Sequence, residues 1–151
     1  MNRAFKIVLL SALAVVVAIF ALGWWAFQSC NEIEVHAARV DWLPATASDI
    51  SSCWIKTNAF DVAHVYEFHI GKGDFESLAR ERKWPVKPIV APQEIIRYLD
   101  FLPAGHPAAK EPGRVTSRAG LYYRYSQNNG GGTTVVYDEA SSTAYVDWSA
   151  R

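Results

Sequence analysis

Residues 121–148 read LYYRYSQNNGGGTTVVYDEASSTAYVDW, and this stretch decides the fold class. It contains three runs, 121–126, 133–137 and 143–148, that are rich in aromatic and β-branched residues. Between the first two runs lie Asn128, Asn129 and three glycines, residue types that tolerate the positive φ of a tight turn. Short strands separated by such turns predict an antiparallel meander.

Two further strands are predicted before this stretch, at 50–56 and 60–70. Successive residues of a strand point to opposite faces of the sheet. In the second strand, His64 therefore points to one face, while Glu67 and His69 point to the other.

Two helices are predicted between these strands and the meander. The first covers 74–83, with Asp74 as its N-cap, and the second covers 93–101. The region 103–118 is rich in proline, glycine and alanine, which predicts a long loop. Together the elements predict an α+β domain with a mostly antiparallel sheet and one or two helices on one face.

The N-terminal segment 7–27 reads IVLLSALAVVVAIFALGWWAF and contains no charged residue. A helix of that length is about 31 Å long, the thickness of a bilayer core, so we expect a single transmembrane signal-anchor. Basic residues precede the segment and Glu32 and Glu34 follow it, which places the N-terminus in the cytoplasm. The predicted location is the bacterial inner membrane, with the following domain on the periplasmic or extracytoplasmic side.

The predicted domain organisation follows from this anchor. Residues 1–6 form a cytoplasmic N-terminus, 7–27 the anchor, 28–47 a connector and 48–151 the exported domain. Two alternatives concern processing: a lipoprotein signal ending at Cys30, or a cleaved signal peptide.

The two cysteines, Cys30 and Cys53, bear on the same question. On the exported side they could form a disulfide, which would contribute about 3 kcal/mol by the entropy of loop closure. Alternatively, Cys53 is a small buried residue. Lipidation of Cys30 would exclude the bridge, and the sequence leaves these alternatives open.

The composition excludes several classes of protein. The chain has 151 residues, a length suited to one domain, and its 15 basic residues balance 15 acidic residues. Balanced charge excludes a strongly basic nucleic-acid binder, and we expect no nucleic-acid partner. Two cysteines exclude an all-cysteine zinc site.

No catalytic motif is present in the sequence. There is no Gly-x-Ser-x-Gly or His-Glu-x-x-His pattern, so we assign no catalytic residue, no metal ligand and no cofactor. Because His64 and His69 point to opposite faces, they cannot share an ion. Glu67 and His69 share a face and could form an acid/base or ligand pair, or could belong to a solvated strand face.

The aromatic residues of the meander supply a candidate binding surface. Tyr122 and Arg124 share one face of their strand, close to the turn with Asn128 and Asn129. Exposed aromatic side chains favour contact with partners, so these four residues are the candidate binding residues. The alternative is ordinary packing between strands.

Several short phrases of the sequence stand out. They are Leu43-Pro44, Ala47-Ser48-Asp49-Ile50, Tyr66-Glu67-Phe68, Asp74-Phe75, Leu78-Ala79, Tyr137-Asp138, Ala144-Tyr145-Val146 and Ser149-Ala150-Arg151. Across residues 43–151 the chain resembles small, uncharacterised bacterial envelope proteins that are membrane-anchored or lipoprotein-like. The resemblance implies an anchor before one α+β domain. It implies no activity and no functional residue.

These observations predict a membrane-anchored envelope protein that acts by protein–protein contact, as an inhibitor or immunity partner or as an accessory subunit. Its expected partners are the lipid bilayer, through 7–27, and a protein of the envelope. The alternative is a small-ligand-binding or weakly hydrolytic domain that uses the Glu67/His69 face. In a third possibility, the anchor itself packs against another membrane protein.

Overall fold

The computed structural model of the protein describes residues 3–27, 30–56, 61–101 and 114–150. The elements within these ranges are α1 (Arg3–Phe27), β1 (Cys30–Ala37), β2 (Ser48–Lys56), β3 (Val62–His69), α2 (Lys72–Glu81), β4 (Lys87–Pro88), β5 (Gln93–Ile96), a one-turn 3-10 helix (Tyr98–Phe101), β6 (Arg114–Ser117), β7 (Gly120–Ser126), β8 (Gly132–Asp138) and β9 (Thr143–Ala150).

Most strands belong to one antiparallel sheet. Within the described ranges its order is β1-β2-β3-β9-β8-β7-β4, and β5 pairs with β6 in a separate two-stranded ribbon. The meander is formed by β7, β8 and β9. Its last strand lies against β3, with Val62 opposite Ala150 and His69 opposite Thr143. This central pairing joins the two halves of the chain.

Helix α2 covers one face of the sheet, which we call the helix face. Phe75 of the helix is fully buried and stacks on Tyr137 of β8, with ring centroids 4.8 Å apart. Phe68 of β3 and Leu78 of α2 belong to the same core. Burial of these side chains is what holds the helix on the sheet.

Helix α2 begins earlier than predicted. Its N-cap is Gly71, and the Phe75 N–H donates to the Gly71 carbonyl over 2.9 Å. Asp74, the predicted N-cap, lies instead in the first turn, where a carboxylate interacts favourably with the helix dipole.

The β5–β6 ribbon and the 3-10 helix cover the opposite face, which we call the ribbon face. Tyr98 and Leu99 of the 3-10 helix pack on Cys53 and Val65 of the sheet. Of the predicted loop 103–118, residues up to 113 lie outside the described ranges, and Arg114–Ser117 forms β6.

The predicted second helix, 93–101, is wrong. Burial alternates along β5, since Ile95 is 4% exposed and Ile96 is 51% exposed, and a period of two is that of a strand. Only a 3-10 turn follows at Tyr98–Phe101. The predicted arrangement of helices on one face is therefore corrected: α2 covers one face and the ribbon covers the other.

The N-terminal prediction is corrected as well. Helix α1 forms, and its described large apolar side chains, from Leu10 to Trp24, are exposed. Among the described residues, however, no helix has the combination of length and apolar character needed to cross a bilayer, and this contradicts the predicted fold class in its transmembrane helix at 7–27.

The predicted connector 28–47 contains the edge strand β1. Ile33 and Val35 pack on the ribbon face, while Glu32 and Glu34 alternate with them and are exposed. This alternation has the period of a strand, and β1 pairs with β2 over most of its length.

Cys53 is a buried, free thiol. The strand register places Ile33 opposite Cys53 and Cys30 opposite Lys56. Three residues of strand separate Cys30 from the position opposite Cys53, about 10 Å, which is too far for a disulfide. The Cys30–Cys53 bridge is therefore not formed. The side chain of Cys30, and with it the prediction of lipidation, lies outside the described residues.

Candidate functional site

Three aromatic side chains form a row across the helix face. Trp54 of β2 lies opposite His64 of β3, and His64 lies opposite Trp148 of β9. Their ring centroids are 6.0 Å apart for Trp54 and His64, and 6.1 Å apart for His64 and Trp148. Trp148 is 43% exposed, so this part of the sheet face is open to a partner.

Two further tryptophans border this row. Trp42, from the segment between β1 and β2, packs edge-on against Tyr66 with ring centroids 5.0 Å apart, and against Trp84 at 6.3 Å. The guanidinium of Arg82 lies 5.0 Å from the Trp42 ring centroid and also donates to the Trp42 carbonyl over 3.1 Å. Arg82 therefore fixes both the ring and the backbone of Trp42.

These side chains line two adjoining clefts. The first has a volume of about 280 Å³ and lies among Trp42, Trp84, Arg82 and Trp148. The second, of about 690 Å³, extends over Trp54 towards β1. Both clefts are lined by His64 and Tyr66, so they meet at these two residues and are described together as one surface. We call it the aromatic groove, and define it by Trp42, Trp54, His64, Tyr66, Trp84 and Trp148.

His64 lies at the centre of the groove as an uncharged ring at neutral pH. Burial lowers the pKa of His64, and the nearby carboxylate of Glu32 offsets only part of that effect. A hydrogen bond of 3.1 Å joins His64 Nδ1 and the Tyr66 hydroxyl and orients both rings.

One end of the groove is acidic. Glu32 lies opposite Trp54, and Glu34 lies opposite Ser52. Since residues directly opposite each other share a face, both carboxylates are on the helix face, and both residues line the larger cleft.

The predicted pair Glu67 and His69 is not formed. Both residues belong to β3, but Glu67 binds the guanidinium of Arg97, with Nε–Oε2 and Nη2–Oε1 distances of 2.8 and 2.5 Å. His69 lies instead near Asp49, with 3.8 Å between His69 Nε2 and Asp49 Oδ2. His36 Nδ1 contacts the other oxygen of Asp49 at 2.5 Å.

The predicted binding residues of the meander lie away from the groove. Tyr122 packs with the buried Ile95 and Tyr145 on the ribbon face. This contact matches the alternative interpretation, ordinary packing between strands. Arg124 is exposed, and with Tyr122 it lines a separate cleft of about 260 Å³.

The predicted turn lies at the surface. Asn128 and Asn129 are both exposed. Asn129 Oδ1 accepts a hydrogen bond from the Gly131 N–H over 3.2 Å, and Gly130 has a φ of 87°. This local bond accounts for an asparagine at position 129 without a ligand.

No metal centre is found in the part of the chain that the structure describes. There, no group of three or more histidine, cysteine, aspartate or glutamate side chains is placed to hold an ion.

Sequence reasoning missed most of the aromatic groove. Trp54, His64 and Trp148 come from three different strands. Their proximity can therefore be recognised only when the strand register is known. The available signal was the face that His64 shares with Tyr66. Trp42 and Trp84 lie outside strands and gave no periodic signal.

Comparison with known proteins gives no relative. The chain matches no protein-family model, no curated protein and no solved structure.

Proposed function

We propose that this protein is a binding module that holds a protein partner in the aromatic groove. The observation that carries the proposal is the row of Trp54, His64 and Trp148, which lies open on the helix face. A partner that covers this row would bury a large area of aromatic surface. Tryptophan and tyrosine are the residues that contribute most to binding energy when a partner covers them.

The geometry supports binding over hydrolysis. The alternative function needed Glu67 and His69 as an acid/base pair. Glu67 is instead bound to Arg97 with both side chains largely buried, 14% and 11% exposed, and His69 is turned to Asp49. Both carboxylate oxygens of Glu67 are occupied by the Arg97 guanidinium, so this carboxylate does not pair with His69.

The role of the partner and the location of the protein stay predictions. An inhibitor, an immunity partner and an accessory subunit all require one stable interface, which the groove could provide. The envelope location and the contact with the bilayer are to be tested by fractionation of cells that express the full chain.

Site-specific photo-crosslinking of the full-length protein in its own cells tests the proposal. Benzoylphenylalanine replaces Trp148 in the groove or, as a matched control on the ribbon face, Arg124. We expect one stoichiometric adduct from the Trp148 position, which is lost when Trp54→Ala is added. Adducts from the Arg124 position alone, or the same adducts from both positions, would contradict the proposed function.

A further inference from the structure

We infer that the partner places an extended, arginine-bearing segment in the aromatic groove, with a guanidinium bound by Trp54 and the carboxylates of Glu32 and Glu34. This inference rests on the proposed function, since it specifies the chemistry of what the groove holds.

The first argument is charge. Among the described residues that line the larger cleft, the two charged ones, Glu32 and Glu34, are both acidic. His64 also lines this cleft, and burial keeps its ring uncharged at neutral pH. Lys56 lies on the same face near the end of β2 and is already engaged in an interaction within the protein. A cation is therefore the complement of this end of the groove.

The second argument is the mode of binding that the protein itself shows. The guanidinium of Arg82 lies 5.0 Å from the ring centroid of Trp42. A cation–π contact between arginine and tryptophan is therefore already present beside this groove. A guanidinium is planar, can stack on an aromatic ring and can bind carboxylates through two parallel hydrogen bonds. Trp54 lies opposite Glu32 on the neighbouring strand, which brings a ring and a carboxylate to the same place.

The third argument is length. The groove crosses β1, β2, β3 and β9, which are neighbours in the sheet. Three spacings between strands are about 14 Å, the length of four to five residues of extended peptide. A short segment could therefore contact the carboxylates at one end and Trp148 at the other.

Fluorescence anisotropy with defined peptides tests the inference on the full-length protein. The first peptide is a labelled ten-residue Gly/Pro peptide with two arginines, and the second carries citrulline at both positions. Citrulline keeps the shape of arginine and removes its charge. We expect the arginine peptide to bind about tenfold more tightly, with the difference reduced at high salt.

Variants assign the binding to the groove. Glu32→Gln together with Glu34→Gln is expected to weaken the arginine peptide about tenfold, and Trp54→Ala by a similar factor. Glu94→Gln, which changes an exposed carboxylate on β5, is the matched control and leaves binding unchanged. Trp148→Ala is a second groove variant, and circular dichroism confirms that each variant is folded.

The outcomes separate the inference from the proposed function. Equal affinity for the citrulline peptide, no binding of the arginine peptide at millimolar concentration, or no effect of the double glutamine variant would overturn the inference. Binding of chitotetraose that depends on Trp54, without binding of the arginine peptide, would show a saccharide groove and overturn it too. The proposed function fails separately if Trp54→Ala and Trp148→Ala leave the crosslinked partner bound.

Discussion

Arg97 binds Glu67 through two parallel hydrogen bonds and thereby connects the ribbon side of the domain to the central strand β3. The two side chains are only 11% and 14% exposed. Removal of one partner would leave a charge largely buried without its counterion, and this costs far more than the pair contributes as a whole.

We therefore expect Arg97→Ala to lower the free energy of unfolding by about 3–5 kcal/mol. The double variant Arg97→Met, Glu67→Leu is expected to recover most of that loss. Urea denaturation measures both. The matched control is Lys72→Ala, which breaks the exposed pair with Glu139 and should cost less than about 1 kcal/mol. A loss of that small size for Arg97→Ala would contradict the assignment.

Asp138 makes the stability depend on acid pH. Burial alone would raise the pKa of Asp138, but hydrogen bonds from Ser117 Oγ, Ser141 Oγ and the Ser141 N–H hold it below its ordinary value. A carboxyl whose pKa is lower in the folded state contributes stability above its unfolded pKa of about 4, and that contribution is lost as the pH falls through the folded value.

We expect Ser117→Ala to lower the free energy of unfolding at pH 7 by about 1–3 kcal/mol, because it removes one of these bonds from a buried carboxylate. We expect Asp138→Asn to reduce the loss of stability between pH 5 and pH 2. Urea denaturation across this pH range decides the matter. A pH profile that Asp138→Asn leaves unchanged would exclude Asp138 as a source.

His64 should titrate below its ordinary pKa of about 6.5, because burial disfavours the charged ring. The folded protein then binds fewer protons than the unfolded chain, so stability falls as the pH drops from about 6.5 towards the folded pKa of His64. Glu32→Gln should lower that pKa further, since the Glu32 carboxylate raises it. NMR titration of the ring measures both values. A pKa above 6.5, or one that rises in Glu32→Gln, would refute this account of the groove.

Cys53 should be inert in the folded protein. Burial raises the pKa of its thiol to about 11, so almost no thiolate is present at neutral pH. We expect slow reaction with a thiol reagent at pH 8, fast reaction after unfolding, and equal gel mobility with and without reductant. A mobility shift on reduction would revive the Cys30–Cys53 bridge.

The sequence allowed the faces of the strands to be predicted, but not their neighbours. Alternation correctly separates Tyr66 from Val65, which pack on opposite faces. Strand order is a property of long-range pairing, and nothing local places Trp148 beside His64. The segment 93–101 was interpreted as a helix because a short apolar run has no clear period. Its conformation is set by pairing with β6 and by the bond from Arg97 to Glu67.

The candidate site was predictable only in part for the same reason. The sequence drew attention to the aromatic residues of the meander, but Tyr122 is needed for packing on the ribbon face. The groove depends on Trp42, which is held in place by Arg82, forty residues further along the chain. Such contacts become visible only when the fold has brought the two segments together.

The central claim is that the aromatic groove is the binding surface, and the affinity of the crosslinked partner for three proteins tests it most directly. These are the full-length chain, the variant Trp54→Ala with Trp148→Ala, and the ribbon-face variant Arg124→Ala. The groove variant is expected to bind at least about tenfold more weakly, and Arg124→Ala to bind like the parent protein. Unchanged affinity of the groove variant, with weaker binding by Arg124→Ala, would contradict the claim and move the interface to the ribbon face.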